Sequence, residues 1–281
     1  MTYQHRPRVA FPGVAGSYTA DASEVLYPDA DRYSAGAFAD VVEHVRRGDA
    51  AAGVLPIENS LSGLVAETCD LLADGELPIG GEVVLHIPHC LAGVAGASVA
   101  TIRRVYSRAD ALEQCRGYLN GRFELIAAST TSDAVRIVAE AKDASWAAIA
   151  SPSAATHWGL EVVESDISDY PENYTRFVAI SRGAPRPNTP GVPWRTALRI
   201  ITSHRPGALH EAIEPFRYHG VNMVSLHSRP LKGEPWRYQF YIDVDGHRDD
   251  PTVARALEDV QRRTTLVVVL GVYPAAARPG T

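Results

Sequence analysis

The chain reads as a two-lobed α/β region followed by a small ferredoxin-like βαββαβ unit, and three observations carry that reading. Over the first two-thirds of the 281 residues, short apolar strands alternate with amphipathic helices. Four prolines and two glycines crowd residues 183–194, a composition that neither a helix nor a central strand tolerates. The remaining segment alternates elements in the order βαββαβ. These place a first region at 1–182, a stiff linker at 183–194 and a second domain at 195–281. The element count further splits the first region into two lobes, with the chain crossing near residue 85 and returning near 170.

Val9-Ala10-Phe11 is a strand, and Pro12 to Gly16 a loop before a helix. Phe38, Val41, Val42 and Val45 fall at i, i+3, i+4 and i+7, and Gly48 stops that helix. Ala51–Leu55 is a buried strand. Leu61, Val65, Cys69 and Leu72 mark a helix face after a loop at Pro56–Ser60. Strands follow at Val83–Ile87, Val105-Tyr106, Phe123–Ile126 and Trp146–Ala150, with helices near Ala109–Leu119 and Ser132–Ala141. Pro152 suits the first turn of another helix, and Arg176–Ile180 closes the region as a strand.

In the last third, Thr196–Ile201 is a strand, and Pro206 opens a helix whose Leu209, Ile213 and Phe216 share a face before Gly220. Pro215 should kink this helix. Val221–Leu226 is a strand. Trp236, Tyr238, Phe240, Ile242 and Val244 alternate as a half-buried strand should. Asp250 and Pro251 start a helix with Val253, Leu257 and Val260 on one face, and Thr264–Leu270 is the final strand.

Net charge of −6 and a pI near 5.9 argue against nucleic-acid binding. No stretch is long and apolar enough to span a bilayer, and Met1 to Arg8 lacks the apolar core of a signal peptide. Three cysteines, Cys69, Cys90 and Cys115, without a Cys-x-x-Cys pair, support neither a disulfide framework nor a thiolate metal site. They fit a reducing cytoplasm, where the sequon at Asn173-Tyr174-Thr175 is an accidental match. No metal or cofactor is expected, since His86, His89 and Cys90 lack a completing carboxylate pattern and Gly13-x-x-Gly16 is not a nucleotide loop.

Two segments concentrate chemistry. Asn173-Tyr174-Thr175-Arg176-Phe177 offers a hydroxyl donor, a permanent cation and an aromatic wall. Pro56-Ile57-Glu58-Asn59-Ser60 adds a carboxamide and another hydroxyl. Together they can hold a small anion and donate to a leaving group. Taken singly, each residue has a plainer role. Asn59 and Ser60 suit a turn or cap, Ser107 a strand end, and Arg176 a surface ion pair.

Jointly, the ordered motifs resemble the monofunctional prephenate dehydratase family. They are Val9-Ala10-Phe11-Pro12-Gly13, Gly53 to Ser60, Val105-Tyr106-Ser107 with Gln114-Cys115, Ala148 to Ser151, and Asn173 with Thr175-Arg176-Phe177. Arg205 to Leu209, Gly220-Val221-Asn222, Ser228-Arg229-Pro230 and Leu270 to Pro274 resemble its ACT regulatory domain.

The resemblance covers nearly everything from Arg8 to Pro274. It implies a periplasmic-binding-protein-like catalytic region converting prephenate to phenylpyruvate, and an ACT domain at which phenylalanine inhibits. It implies that Thr175 assists the leaving hydroxyl and that Asn59, Ser107 and Gln114 are catalytic. Arg176, Phe177, Ser60 and Glu58 would bind substrate, Arg176 as a bidentate carboxylate anchor and Glu58 as a second candidate proton source. Gly207, Ala208, Leu209, Asn222, Ser228 and Arg229 would form the effector site, and the assembly would be a homodimer or homotetramer.

Three positions depart from the family pattern: Arg108-Ala109 where His-Pro is common, Tyr174 for a small aliphatic residue, and His227 for a Glu before Ser-Arg-Pro. Arogenate dehydratase and a non-catalytic amino-acid sensor are the rival readings.

Overall fold

The computed structural model describes residues 6–183 and 187–277. From the N-terminus run β1 (Arg8–Phe11), α1 (Tyr18–Leu26), β2 (Asp31–Ser34), α2 (Phe38–Arg47), β3 (Ala52–Asn59), β4 (Gly63–Leu64), α3 (Ala66–Leu71) and β5 (Ile79–His86). A second lobe holds β6 (Cys90–Gly93), β7 (Arg104–Ser107), α4 (Ala109–Gln114), α5 (Arg116–Leu119), β8 (Glu124–Ala127), α6 (Thr131–Ala141), β9 (Trp146–Ala150), α7 (Pro152–His157) and β10 (Glu161–Glu164). The chain returns to the first lobe as β11 (Tyr174–Ser181). The C-terminal unit is β12 (Trp194–Ile201), α8 (Ala208–Tyr218), β13 (Met223–Pro230), β14 (Tyr238–Asp245), α9 (Pro251–Arg263) and β15 (Leu266–Pro274).

The second lobe has its own five-stranded sheet, in the order β10-β6-β9-β7-β8. The first lobe and the C-terminal unit share one sheet, β13-β14-β12-β15-β5-β11-β3-β1-β2, with β4 paired to β3. Within it, β15-β12-β14-β13 is the strand order of a ferredoxin-like unit. The first lobe and the second meet at residues 87–89 and 165–173, where the chain passes twice between sheets. The fold is therefore a two-lobed α/β region of the periplasmic-binding-protein kind followed by an ACT-type βαββαβ unit. Of the linker expected at 183–194, residues 184–186 lie outside the described residues. Trp194 Nε1 donates to the Thr189 carbonyl at 3.3 Å and Asn188 to Asp250 at 2.7 Å, tying the following stretch to the C-terminal unit.

Local chemistry explains most elements. In α2, Val41, Val42 and Val45 are buried, and Gly48 ends the helix with a φ of 87°. Pro251 occupies the first turn of α9, which buries Val253, Ala256 and Val260. Pro215 inside α8 has no N–H for the Glu211 carbonyl. The Arg263 guanidinium donates to that oxygen at 3.3 Å instead.

Three expectations are corrected. Pro56–Ser60 is not a loop before a long helix: β3 runs on to Asn59, and α3 covers only Ala66–Leu71. A register shift in the pairing of β11 with β3 at Pro56 accommodates a proline that cannot donate. The helix at Ala109–Leu119 breaks at Cys115 into α4 and α5. Trp236 lies outside β14, 81 % exposed with a φ of 63°.

The two halves of the shared sheet join through one parallel residue pair, Gly271 of β15 with Ile79 of β5. A Cβ on Gly271 would stand 2.4 Å from the Ile79 carbonyl oxygen. Behind the junction, one buried cluster combines Leu55, Ile79, Val178 and Ile180 with Ala197, Leu270 and Tyr273. Gly271→Ala is expected to lower unfolding stability by about 1–3 kcal/mol through forced overpacking. Urea denaturation measures it, and an unchanged midpoint would show that the junction can open without cost.

Candidate active site

A cavity of about 560 Å³ lies between the two lobes. Strand alternation decides which residues of β11 reach it: Thr175 and Phe177 line it, while Arg176 points to the opposite face. From the first lobe come Asn59 at the end of β3 and Ser17 at the start of α1. From the second come Gln114 at the end of α4, Thr130 to Ser132 at the start of α6, and Ser151. His89 and Asn173 come from the two segments that pass between the lobes.

A hydrogen-bond network ties these elements together. Asn59 Oδ1 accepts from the backbone N–H groups of Leu61 and Ser62 at 3.0 and 2.9 Å. Its amide nitrogen is thereby turned toward Asn173 Oδ1 at 2.7 Å and Thr175 Oγ1 at 3.0 Å. Thr175 Oγ1 accepts from Asn59, so its own hydrogen is free for the cavity. Asn173 Nδ2 reaches Gln114 Oε1 at 3.4 Å, and His89 Nε2 meets the same oxygen at 2.8 Å.

The wall favours anions in a second way. Ser17 and Thr130 cap α1 and α6 with their side chains, accepting from Ala20 and Asp133. The first residues of both helices, Tyr18 and Thr19 of α1 and Thr131 and Ser132 of α6, line the cavity, and a helix N-terminus favours negative charge. Arg108 also lines it, already paired with Asp110. Between the lobes, Ser151 Oγ donates to the Gly16 carbonyl at 3.2 Å and Ser153 to Asp21 at 2.6 Å, bracing the cleft on the far side.

The prephenate dehydratase family profile matches residues 9–185 and the ACT domain profile residues 196–262. This chain belongs to the prephenate dehydratase family. It is 35 % identical over 277 residues to the bifunctional chorismate mutase/prephenate dehydratase of Escherichia coli K12, covering 96 % of this chain and 72 % of that protein. The solved prephenate dehydratase of Arthrobacter aurescens, in complex with L-Phe, superposes with a TM-score of 0.86 at 32 % identity over 97 % of this chain and 93 % of the other. GqqA, described as a novel type of quorum quenching acylase, superposes equally well, with a TM-score of 0.86 at 33 % identity over 95 % and 98 % of the two chains.

Within the family frame, the structure brings Asn59, Gln114, Thr175 and Phe177 to one cavity and leaves four expected residues off its wall. Arg176, expected as the substrate anchor, does not line the cavity. It is 6 % exposed and directed at the ACT-type unit, 2.7 Å from Asp243, 3.1 Å from Glu58 and 3.2 Å from Glu82. Burial opposes its charge, but Asp243, Tyr273, Glu82 and Glu58 outweigh burial and hold it protonated. Glu58 sits on the same face, between Arg176 and His227 Nε2 at 3.2 Å, and so is no proton source for the cavity.

Ser60 clamps the returning segment instead, accepting from the Tyr174 N–H at 2.9 Å and donating to the Glu172 carbonyl at 3.3 Å. Ser107 is fully buried and donates to the Ile149 carbonyl at 3.2 Å, propping the end of β7 beside the cavity. Asn173, 1 % exposed, is unavailable for glycosylation in the folded chain.

Sequence reasoning missed Asn173 as a site residue and considered His89 only as a metal ligand, which it set aside. It is buried and on the wall. The only signal was its place before the buried run Cys90–Gly93.

The expected effector residues also separate. Gly207, with a φ of 81°, starts α8, and Ala208 and Leu209 line a cavity of about 170 Å³ with Arg205, Arg237 and Tyr238. Asn222 bonds Asp245 at 2.8 Å at the other end of β14, about 20 Å along the strand. Arg229 is turned to Asp70 at 3.0 Å and Ser228 to the opposite face. One chain therefore does not gather the six into a single pocket.

Replacing Arg176 by Met would leave Glu82, whose side chain is fully buried, with Arg195 as its only cation among the described residues. The variant should lose about 3–5 kcal/mol of stability. A tenfold rise in KM with unchanged stability, from kinetics paired with thermal unfolding, would restore Arg176 as a substrate anchor.

Proposed function

We propose that the chain is a prephenate dehydratase that also answers to phenylalanine. The observation that carries this is the directed network ending at Thr175, whose hydroxyl accepts from Asn59 and keeps its hydrogen for the cleft. Prephenate is a dianion with a ring hydroxyl. Breaking the bond to the ring carboxylate releases carbon dioxide and sends its electron pair into the ring. Hydroxide leaves from the opposite carbon and takes up a proton to become water, and the ring becomes aromatic. The protein has to hold two carboxylates and stabilise the charge that grows on the leaving oxygen.

Thr175 donates to that oxygen, the helix N-termini and Gln114 receive carboxylates, and Phe177 excludes water. An acylase reading would ask for a nucleophile activated by a neighbouring base. His89, the histidine on the cavity wall, is instead engaged with the Gln114 amide.

Residues 1–182 then form the catalytic unit and 195–281 the regulatory one, with phenylalanine seated near Gly207-Ala208-Leu209. A homodimer is the smallest assembly that covers the free edge strand β13, beside which Leu226 and Tyr238 are exposed. The buried free thiols of Cys69, Cys90 and Cys115 suit a reducing cytoplasm.

Purified protein should form phenylpyruvate from prephenate, followed by its ultraviolet absorbance, with arogenate assayed in parallel for phenylalanine. Thr175→Ala should lower kcat by about 10²–10³ while Thr175→Ser keeps most of it, and near-normal kcat in the alanine variant would remove Thr175 from the mechanism. Phenylalanine should inhibit the wild type, and Leu209→Asp should retain turnover but lose that sensitivity. Equal inhibition of both would place the effector elsewhere. Sedimentation equilibrium tests the dimer, and a monomer at micromolar concentration would refute it.

A further inference from the structure

The cleft network has a direction, and the backbone sets it. Because the N–H groups of Leu61 and Ser62 fix Asn59 Oδ1 as an acceptor, Asn59 Nδ2 must face Asn173 Oδ1. Asn173 then presents its amide nitrogen to Gln114, so the atom it meets there is an acceptor, Oε1. His89 Nε2 lies 2.8 Å from that same oxygen and must bring a hydrogen to it. The ring's other nitrogen, Nδ1, is buried without a hydrogen-bond partner among the described residues. A hydrogen on Nδ1 would be an unanswered buried donor, which disfavours both the other tautomer and the imidazolium.

We propose that His89 is a positioning residue of the dehydratase site: held as the neutral Nε2–H tautomer, it fixes the Gln114 carboxamide so that its NH₂ group projects into the cleft to bind a substrate carboxylate. This rests on the dehydratase reading given above. Gln114 lines the cavity, and the side-chain hydrogen bonds it makes, with His89 and Asn173, both fall on Oε1 and leave the amide nitrogen for the cleft. Without a donor at position 89, the carboxamide can turn over and present its oxygen to the anion, which repels it.

The ring is well placed to hold the amide still. It is 5 % exposed. Its own carbonyl accepts from the Ile167 N–H at 3.0 Å, and the preceding Pro88 carbonyl accepts from the Tyr18 hydroxyl. Burial lowers the ring's pKa, against the opposing effects of the Gln114 bond and the Asp110 charge, in keeping with a neutral ring.

Two variants and one spectrum test this. Glutamine at 89 can carry an N–H to nearly the same place, whereas phenylalanine fills the space without a donor. Prephenate KM should stay within about threefold of wild type in His89→Gln and rise about tenfold or more in His89→Phe, with kcat less affected, as loss of a bond to a charged group implies. Nitrogen–proton correlation spectra of ¹⁵N-histidine-labelled wild type, at neutral pH without ligand, should show His89 protonated at Nε2 alone. An unchanged KM in a folded His89→Phe, or a spectrum showing Nδ1–H or the imidazolium, overturns the proposal. Should His89→Phe not fold, the spectrum decides by itself. A wild type that shows the expected tautomer but no prephenate turnover fails the dehydratase reading instead.

Discussion

The period of two along β11 is the constraint on which the rest depends. This strand is buried between β3 and β5, so its two faces serve different masters. Thr175 and Phe177 look into the cleft; Arg176, between them, looks toward the ACT-type unit. There it meets Asp243, Glu58 and Glu82, while Arg195 at 2.8 Å and the Ala276 N–H at 2.9 Å complete the partners of Glu82. A slip of one residue would put the guanidinium in the cleft and the threonine among carboxylates. The charge cluster is thus a register lock for β11 as well as glue between units. Any movement of the C-terminal sheet is felt one residue from Thr175.

The second organising element is the network that crosses the cleft. Asn59 belongs to the first lobe and Gln114 to the second, whereas Asn173 and His89 sit in the two segments between them. Ile87 N donates to the Asn173 carbonyl at 2.7 Å, so these segments also hold each other. Opening the lobes would have to stretch the weakest span, Asn173 to Gln114 at 3.4 Å. The cleft-lining side chains and the position of the lobes are coupled through ordinary amide hydrogen bonds.

Much of this was legible in the sequence, and the failures have physical causes. The start of α9 at Asp250-Pro251 and the end of α2 at Gly48 follow from backbone chemistry that acts locally. The edge strands β2 (Asp-Arg-Tyr-Ser) and β10 (Glu-Val-Val-Glu) went unnoticed because solvent-facing edges need little apolar pattern. Pro56 suggested a loop because the register shift that tolerates it exists only once β11 is paired. The family and the cavity-lining Asn59, Gln114, Thr175 and Phe177 were visible as ordered motifs. The side of the strand on which Arg176 and Glu58 fall was not, since a strand buried on both faces shows no alternation to read. His89 carried only its place before a buried run, because its meaning lies in Gln114, 25 residues away.

Gly271 gives the shared sheet a consequence for how such proteins can be recombined. The ACT-type unit does not hang from a tether; it extends the sheet of the first lobe through a seam only a glycine can close, with Arg195 and Glu82 on either side. Exchanging it for another ACT-type unit would have to transplant the glycine, the arginine and the phase of β15 as one cassette. A graft chosen by linker length alone would leave a raw β5 edge beside an uncovered Glu82, inviting intermolecular strand pairing.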